Sequence, residues 1–139
     1  MEYYVGIKLI SATRQDKDNV NEAPPIGGYK VVYEDGYESW SPKWAFEQAY
    51  KRSGEMGFSE ALYLLKRGYA LARRGWNGKD MFIVLITNWG CEWGNIDESD
   101  GEYEAMDFIG MKIADDKFVP WLASQTDMLA EDWEVIDIE

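Results

Sequence analysis

Residues 81–87 read MFIVLIT. A strand with one wet face alternates apolar and polar side chains. This stretch is apolar at six consecutive positions, so it predicts a strand covered on both faces in the interior of a sheet. The run Met81–Ile86 is also the longest uncharged apolar run in the chain. It falls far short of the ~20 residues a membrane-crossing helix needs. An interior strand requires neighbours, and the flanking sequence supplies candidates on both sides.

Upstream, Tyr69–Arg74 leads into a short strand, followed by the turn Gly75-Trp76-Asn77-Gly78. Before it, Phe58-Ser59-Glu60-Ala61-Leu62 opens a helix. Ser59 is the expected N-cap, Leu62, Leu65 and Ala61 share one face, and Gly68 stops it. Downstream, Phe108–Ile113 reads as a strand, Asp115-Asp116 as a turn and Lys117–Val119 as the returning strand. A short helix is expected within Leu122–Leu129, and a closing strand over Trp133–Ile138 with Trp133, Val135 and Ile138 as its apolar positions. Residues 97–107 carry six acids and no base, without the ordered spacing of an EF-hand, and predict an exposed loop.

The N-terminal third has a different pattern. Tyr3–Ile10 is β-branched and aromatic and predicts a first strand; residues 13–28 are polar and predict a loop. Tyr29–Tyr33 and Tyr37–Trp40 flank Asp35-Gly36, a hairpin signal. Ser41 as N-cap and Pro42 at the first helical position then start a helix, with Trp44, Ala45, Phe46 and Ala49 on its apolar side. Gly54 and Gly57 mark a boundary. The expectation is an α+β protein: a small antiparallel sheet packed with a helix over residues 57–139, preceded by a β-hairpin-plus-helix accessory module over residues 1–53.

Composition narrows function. The 139-residue chain is 46% hydrophobic and 15% aromatic, as expected of a folded protein, and has a formal charge of −12. That field repels nucleic acid and anionic membranes. A single cysteine, Cys91, excludes an internal disulfide, and its neighbours Asn88-Trp89-Gly90 and Glu92-Trp93-Gly94 include no base to activate the thiol. The chain has no histidine, so the commonest zinc ligand and general base are missing, and no carboxylate pair stands out. No basic end followed by a long apolar run suggests export. The expectation is a soluble cytoplasmic protein without a cofactor or metal.

Two constellations could hold a ligand. Lys66, Arg67, Arg73, Arg74 and Lys79 are five of the 14 basic residues, and they lead into Gly75-Trp76-Asn77-Gly78. A guanidinium grips phosphate and an indole stacks on a base. A charged helix end followed by a turn whose tryptophan caps the core fits the same residues. Near the C-terminus, Trp121 precedes Ser124-Gln125-Thr126-Asp127. These side chains can read ribose hydroxyls and base edges, or Ser124 or Thr126 can cap a short helix with Asp127 in its first turn. Local sequence does not choose between these readings.

Taken as a pair, FSEALYLLKRGYALARRGWNGKDMF and MKIADDKFVPWLASQTDMLAEDW resemble the Thoeris anti-defense 2 family of small phage and prophage proteins. The resemblance implies a non-enzymatic sponge. Such a protein binds the cyclic ADP-ribose isomers made by Thoeris TIR proteins, and in some members cyclic dinucleotides of CBASS-type defence at a separate site. It acts in the infected bacterial cytoplasm as a homotetramer with pockets between protomers. Carried onto this sequence, the motifs place Arg74, Trp76, Asn77, Trp121, Ser124, Gln125, Thr126 and Asp127 at the ligand. Trp76 or Trp121 would stack on adenine, Arg74 would face the pyrophosphate, and Ser124–Asp127 would bond ribose or base. The alternatives are an enzyme cleaving the same nucleotide and a phage structural or host-interaction protein whose tryptophans serve only assembly. The N-terminal module departs from the shortest family members.

Overall fold

The computed structural model describes residues 1–18, 24–76, 80–87, 92–93, 96–97 and 106–137. The chain divides into two units, Met1–Lys51 and Arg52–Glu139.

In the first unit, β1 (Ser11–Arg14), β2 (Gly28–Val32) and β3 (Glu38–Pro42) form an antiparallel sheet in the order β1-β2-β3, followed by α1 (Lys43–Ala49). The β2–β3 hairpin forms as its turn signal requires: Gly36 has φ +89°, and the Asp35 carboxylate accepts from the Tyr37 N–H at 3.0 Å. Val31 is buried, and Phe46 stacks on Tyr29 with ring centroids 4.1 Å apart.

Three expectations fail here. Tyr3–Ile10 is not a strand; the first strand is Ser11–Arg14, whose second half lies in the stretch read as a polar loop. The register explains this. Ser11 pairs with Val32, and β2 then turns back at Asp35-Gly36, so residues before Ile10 run past the hairpin tip with no strand beside them. Ser41 and Pro42 do not start the helix but end β3, because Pro42 is held opposite Gly28 in the ladder. Pro42 becomes the N-cap residue, its φ of −64° suiting the extended backbone there, and no side chain caps α1. Trp44 is exposed rather than on a buried face.

In the second unit, α2 (Phe58–Lys66) precedes β4 (Ala70–Arg73) and β5 (Phe82–Ile86). Two short strands, β6 (Glu92–Trp93) and β7 (Ile96–Asp97), pair with each other. Then come β8 (Phe108–Lys112), β9 (Phe118–Pro120), α3 (Gln125–Leu129) and β10 (Trp133–Ile136). The five-stranded sheet runs β10-β4-β5-β8-β9, antiparallel throughout, and α2 packs over β4, β5 and β10. The strand read from MFIVLIT is therefore interior, with Ile83 fully buried. Leu65, Leu71 and Trp133 complete the fully enclosed core beside it. Most of the acidic stretch, Cys91 and Ile138 lie outside the residues whose side chains are described.

Two details of α2 differ from expectation. Its N-cap is Gly57, and Ser59 sits inside the first turn, where its hydroxyl donates to the Glu60 carboxylate. Its buried face is Ala61, Leu64 and Leu65, at the i, i+3, i+4 spacing, while Leu62 is half-buried. Residues 53–56 belong with this unit: the Gly54 N–H donates to the Trp133 carbonyl at 2.8 Å, and the Ser53 hydroxyl accepts from the Val135 N–H at 2.8 Å. They run along the outer edge of β10 and cover backbone groups that an edge strand otherwise leaves unpaired.

Candidate functional site

The RRGW and PWLASQTD segments, residues 73–76 and 120–127, meet at one end of the five-stranded sheet. β4 ends at Arg73, and an adjacent turn carries Gly75 and Trp76. Opposite it, α3 and the start of β10 supply Asp127, Asp132 and Trp133. β10 pairs with β4 with Trp133 opposite Arg73, so the sheet register itself brings the two segments together.

Arg73 is the centre of the junction. Its Nη1 donates to Asp127 Oδ1 at 2.8 Å and its Nε to Asp132 Oδ1 at 2.9 Å. These side chains are mostly enclosed, at 19% exposed for Arg73, 13% for Asp127 and 31% for Asp132, so their charges are less screened than a surface pair's. Asp127 Oδ1 also accepts from the Trp76 indole N–H at 3.2 Å, and Asp132 Oδ2 accepts from the Gly75 N–H at 2.9 Å. Burial pushes the Asp127 carboxyl up, but hydrogen bonds from Arg73, Ser124 and Trp76 outweigh it and hold the carboxyl below its ordinary value. Asp132 is likewise raised by burial and more strongly lowered by Arg73 and the Gly75 N–H. The Arg73 guanidinium is raised by its hydrogen bonds to Asp132 and Asp127.

Four aromatic rings pack beside these charges. Trp133 is fully buried, with Trp76 at 5.4 Å, Phe58 at 5.5 Å and Trp121 at 6.1 Å between ring centroids. Trp76 and Trp121 lie 6.4 Å apart, edge to face. The Trp133 indole N–H donates to the Asp127 carbonyl at 3.0 Å, tying the ring cluster to α3.

α3 is built as a capped turn. Ser124 is its N-cap, with the hydroxyl accepting from the Asp127 N–H at 3.1 Å. The Ser124 and Thr126 hydroxyls lie 2.9 Å apart, and Ser124, Gln125 and Thr126 are exposed. The capping alternative is thus realised at Ser124, and it leaves a short row of accessible polar side chains next to the half-buried Trp121.

Of the residues singled out from sequence, Trp76, Trp121, Ser124 and Asp127 converge here, with Thr126 and Gln125 on the rim. Asn77 lies outside the described residues. Arg74 points elsewhere: its guanidinium is 62% exposed and meets Glu134 at 3.2 Å. Successive side chains on an extended chain face opposite ways, so Arg73 faces the junction here while Arg74 faces Glu134. Sequence reasoning placed Arg73 in the basic cluster but gave the role to Arg74, and it missed Asp132, Phe58 and Trp133 as members of the site. The strand alternation indicated that only one of the two arginines would face inward, but nothing local said which.

Residues 56–136 match the family model described as a Thoeris anti-defense 2-like domain. The chain belongs to that family. A curated relative, Thoeris anti-defense 2 from Bacillus phage SP01, is 41% identical over 88 residues, covering 59% of this chain and 96% of the relative. The match coincides with the second unit and takes in every element of the junction. The first unit, Met1–Lys51, lies outside the matched residues of this anti-defense protein. Among the described residues no helix is long and apolar enough to cross a membrane, and no group of three or more Cys, Asp or Glu side chains is arranged to hold a metal ion.

Proposed function

We propose that this protein counters Thoeris defence by binding and sequestering the cyclic ADP-ribose isomers made by TIR proteins, without degrading them. The observation that carries the reading is the convergence of the two family motifs, joined at Asp127 by hydrogen bonds from Arg73 and Trp76. Trp76 and Trp121 would offer ring faces or edges to adenine, and Ser124, Gln125 and Thr126 would bond ribose or base. Asp127 contributes by holding Trp76 in place. Arg74, paired only with one carboxylate at an exposed position, exchanges that partner for the pyrophosphate at little cost. Asn77, the next residue in sequence after Trp76, completes the set. In this reading, residues 57–139 are the sequestering domain and residues 1–53 an accessory module. The protein acts as a homotetramer in the cytoplasm of the infected cell.

Sequestration is tested by loading the protein with a cyclic ADP-ribose isomer, removing free nucleotide, denaturing by heat and identifying what is released. Intact nucleotide in near-stoichiometric yield is expected. A cleaved product in catalytic excess would identify an enzyme, and no retained nucleotide would leave the tryptophans a purely structural role. Repeating the loading with a cyclic dinucleotide tests the second ligand class. Trp121→Ala should weaken retention about 5- to 150-fold, the equivalent of ~1–3 kcal/mol for one base stacked on an aromatic ring. Thr126→Ala, at an exposed position, separates loss of a ligand contact from loss of the fold.

A further inference from the structure

The N-terminal segment Glu2–Lys8 has strong strand character and no strand beside it. Its aromatic and β-branched residues are exposed: Tyr3 at 100%, Tyr4 at 85%, Val5 at 97% and Ile7 at 40%. It is the direct N-terminal continuation of β1, and its lack of a partner follows from the register. β2 turns back after pairing Val32 with Ser11, so the segment continues beyond the β1–β2 ladder, and among the described residues none pairs with its backbone. Exposed segments of this composition are templates for strand addition.

Its residue pattern says what the added strand is. In an antiparallel pair of two copies centred on Val5, Glu2 of each copy lies opposite Lys8 of the other. Tyr3 lies opposite Ile7, and Tyr4 opposite Gly6. One face of the pair is then wholly apolar, built from Tyr3, Val5 and Ile7 of both copies. The other face carries two Glu–Lys pairs and two tyrosines lying across glycines, a pairing in which the ring covers the bare backbone. Slipping the register by one residue either way puts Glu2 opposite Ile7 or Leu9 and destroys both the charge match and the apolar face. A single register therefore satisfies every position from Glu2 to Lys8, and it is symmetric, as an isologous interface requires.

We infer that Glu2–Lys8 is a self-association strand, which pairs antiparallel with the same segment of a second copy about a two-fold axis at Val5. Within one chain, Tyr4 donates to Glu2 at 2.6 Å and Lys8 sits 5.2 Å from the centre of the Tyr33 ring. Tyr4 and Lys8 are exposed, and both side chains exchange these contacts for the intermolecular pair. The interface belongs to the first unit, outside the residues matched by the family model, and does not depend on the proposed ligand.

Cysteine cross-linking in the full-length chain tests the register. With Cys91→Ser as background, single cysteines are placed at Val5→Cys, at Ile7→Cys and, as a control on the hairpin tip, at Asp35→Cys. The two-fold brings the residue-5 positions face to face, whereas two residue-7 positions are offset by about 13 Å along the strands, beyond disulfide reach. Under mild oxidation at low protein concentration, Val5→Cys should form covalent dimers about tenfold faster than the other two. Glu2→Lys should slow that reaction about threefold or more, and adding Lys8→Glu should restore it. Equal rates at positions 5, 7 and 35, or a rate at position 5 indifferent to the charge reversals, would overturn the inference. Positions 2, 5, 7, 8 and 35 are exposed, and circular dichroism confirms that each variant keeps its fold.

Discussion

Replacing Asp127 by alanine removes a carboxylate that accepts hydrogen bonds from Arg73 at 2.8 Å and from Trp76 at 3.2 Å. A hydrogen bond to a charged group contributes about 1.5–3 kcal/mol, and a neutral one about 1 kcal/mol. Leaving a fully buried charge alone costs ~3–5 kcal/mol, but Arg73 keeps Asp132 at 2.9 Å, which sets the expected loss for Asp127→Ala below that sum, at about 2–4 kcal/mol. With a urea m-value near 2 kcal/mol/M, the unfolding midpoint of the second unit should fall by about 1–2 M. Asp127→Asn keeps the shape but not the charge and should lose roughly half as much. A double-mutant cycle with Arg73→Met isolates the pair and should return a coupling of about 1–3 kcal/mol. The sign with pH is fixed by the direction of the shift. Because the folded-state pKa lies below the unfolded value near 3.8, the stabilisation is fully present above that value and is lost as pH falls through the folded pKa. The gap between wild type and Asp127→Asn should therefore close in strong acid. A loss under ~0.5 kcal/mol for Asp127→Ala, or a coupling near zero, would refute the view that Arg73 and Asp127 hold the two motifs together.

Ser124→Ala should destabilise the second unit by about 1 kcal/mol through loss of the α3 cap, measured by the same titration, while Ser124→Asp should retain the cap. Leu65→Ala, at a fully buried position on α2, should cost ~2–5 kcal/mol and lower the thermal midpoint accordingly. Gly54→Ala should cost about 1–2 kcal/mol for its φ of +93°, because the new methyl meets only the exposed end of the Arg74 side chain, which can move aside. Adding Arg74→Ala should leave that loss nearly unchanged, which a thermal melt of both variants will show.

Much of the second unit was legible in the sequence because its signals are local. MFIVLIT is apolar on both faces, and such a strand has stable placements only inside a sheet. The turn at Asp115-Asp116, where Asp116 adopts φ +62°, and the helix stop at Gly68, with φ +94°, are written in single residues. The same local signals misled at Ser41-Pro42 and Ser59. At the first, a ladder partner, Gly28, holds the backbone extended where a cap was expected. At the second, the helix begins two residues earlier, at Phe58, whose ring packs on Trp121 and Trp133.

The site divides in the same way. Sequence alone determined which residue types were present: two tryptophan-bearing motifs, a run of hydroxyl and carboxylate side chains, and no histidine. Hydrogen-bonding capacity and ring area belong to the residue and need no fold. Only the tertiary structure decided how they are used. Sheet pairing of β10 with β4 selects Arg73 over Arg74, commits Asp127 and Asp132 to that arginine, and draws in Trp133 and Phe58. The strand Tyr3–Ile10 shows the converse. Its propensity is written in its residues, but a strand is a relation between two segments, and the chain turns back before it can supply the second.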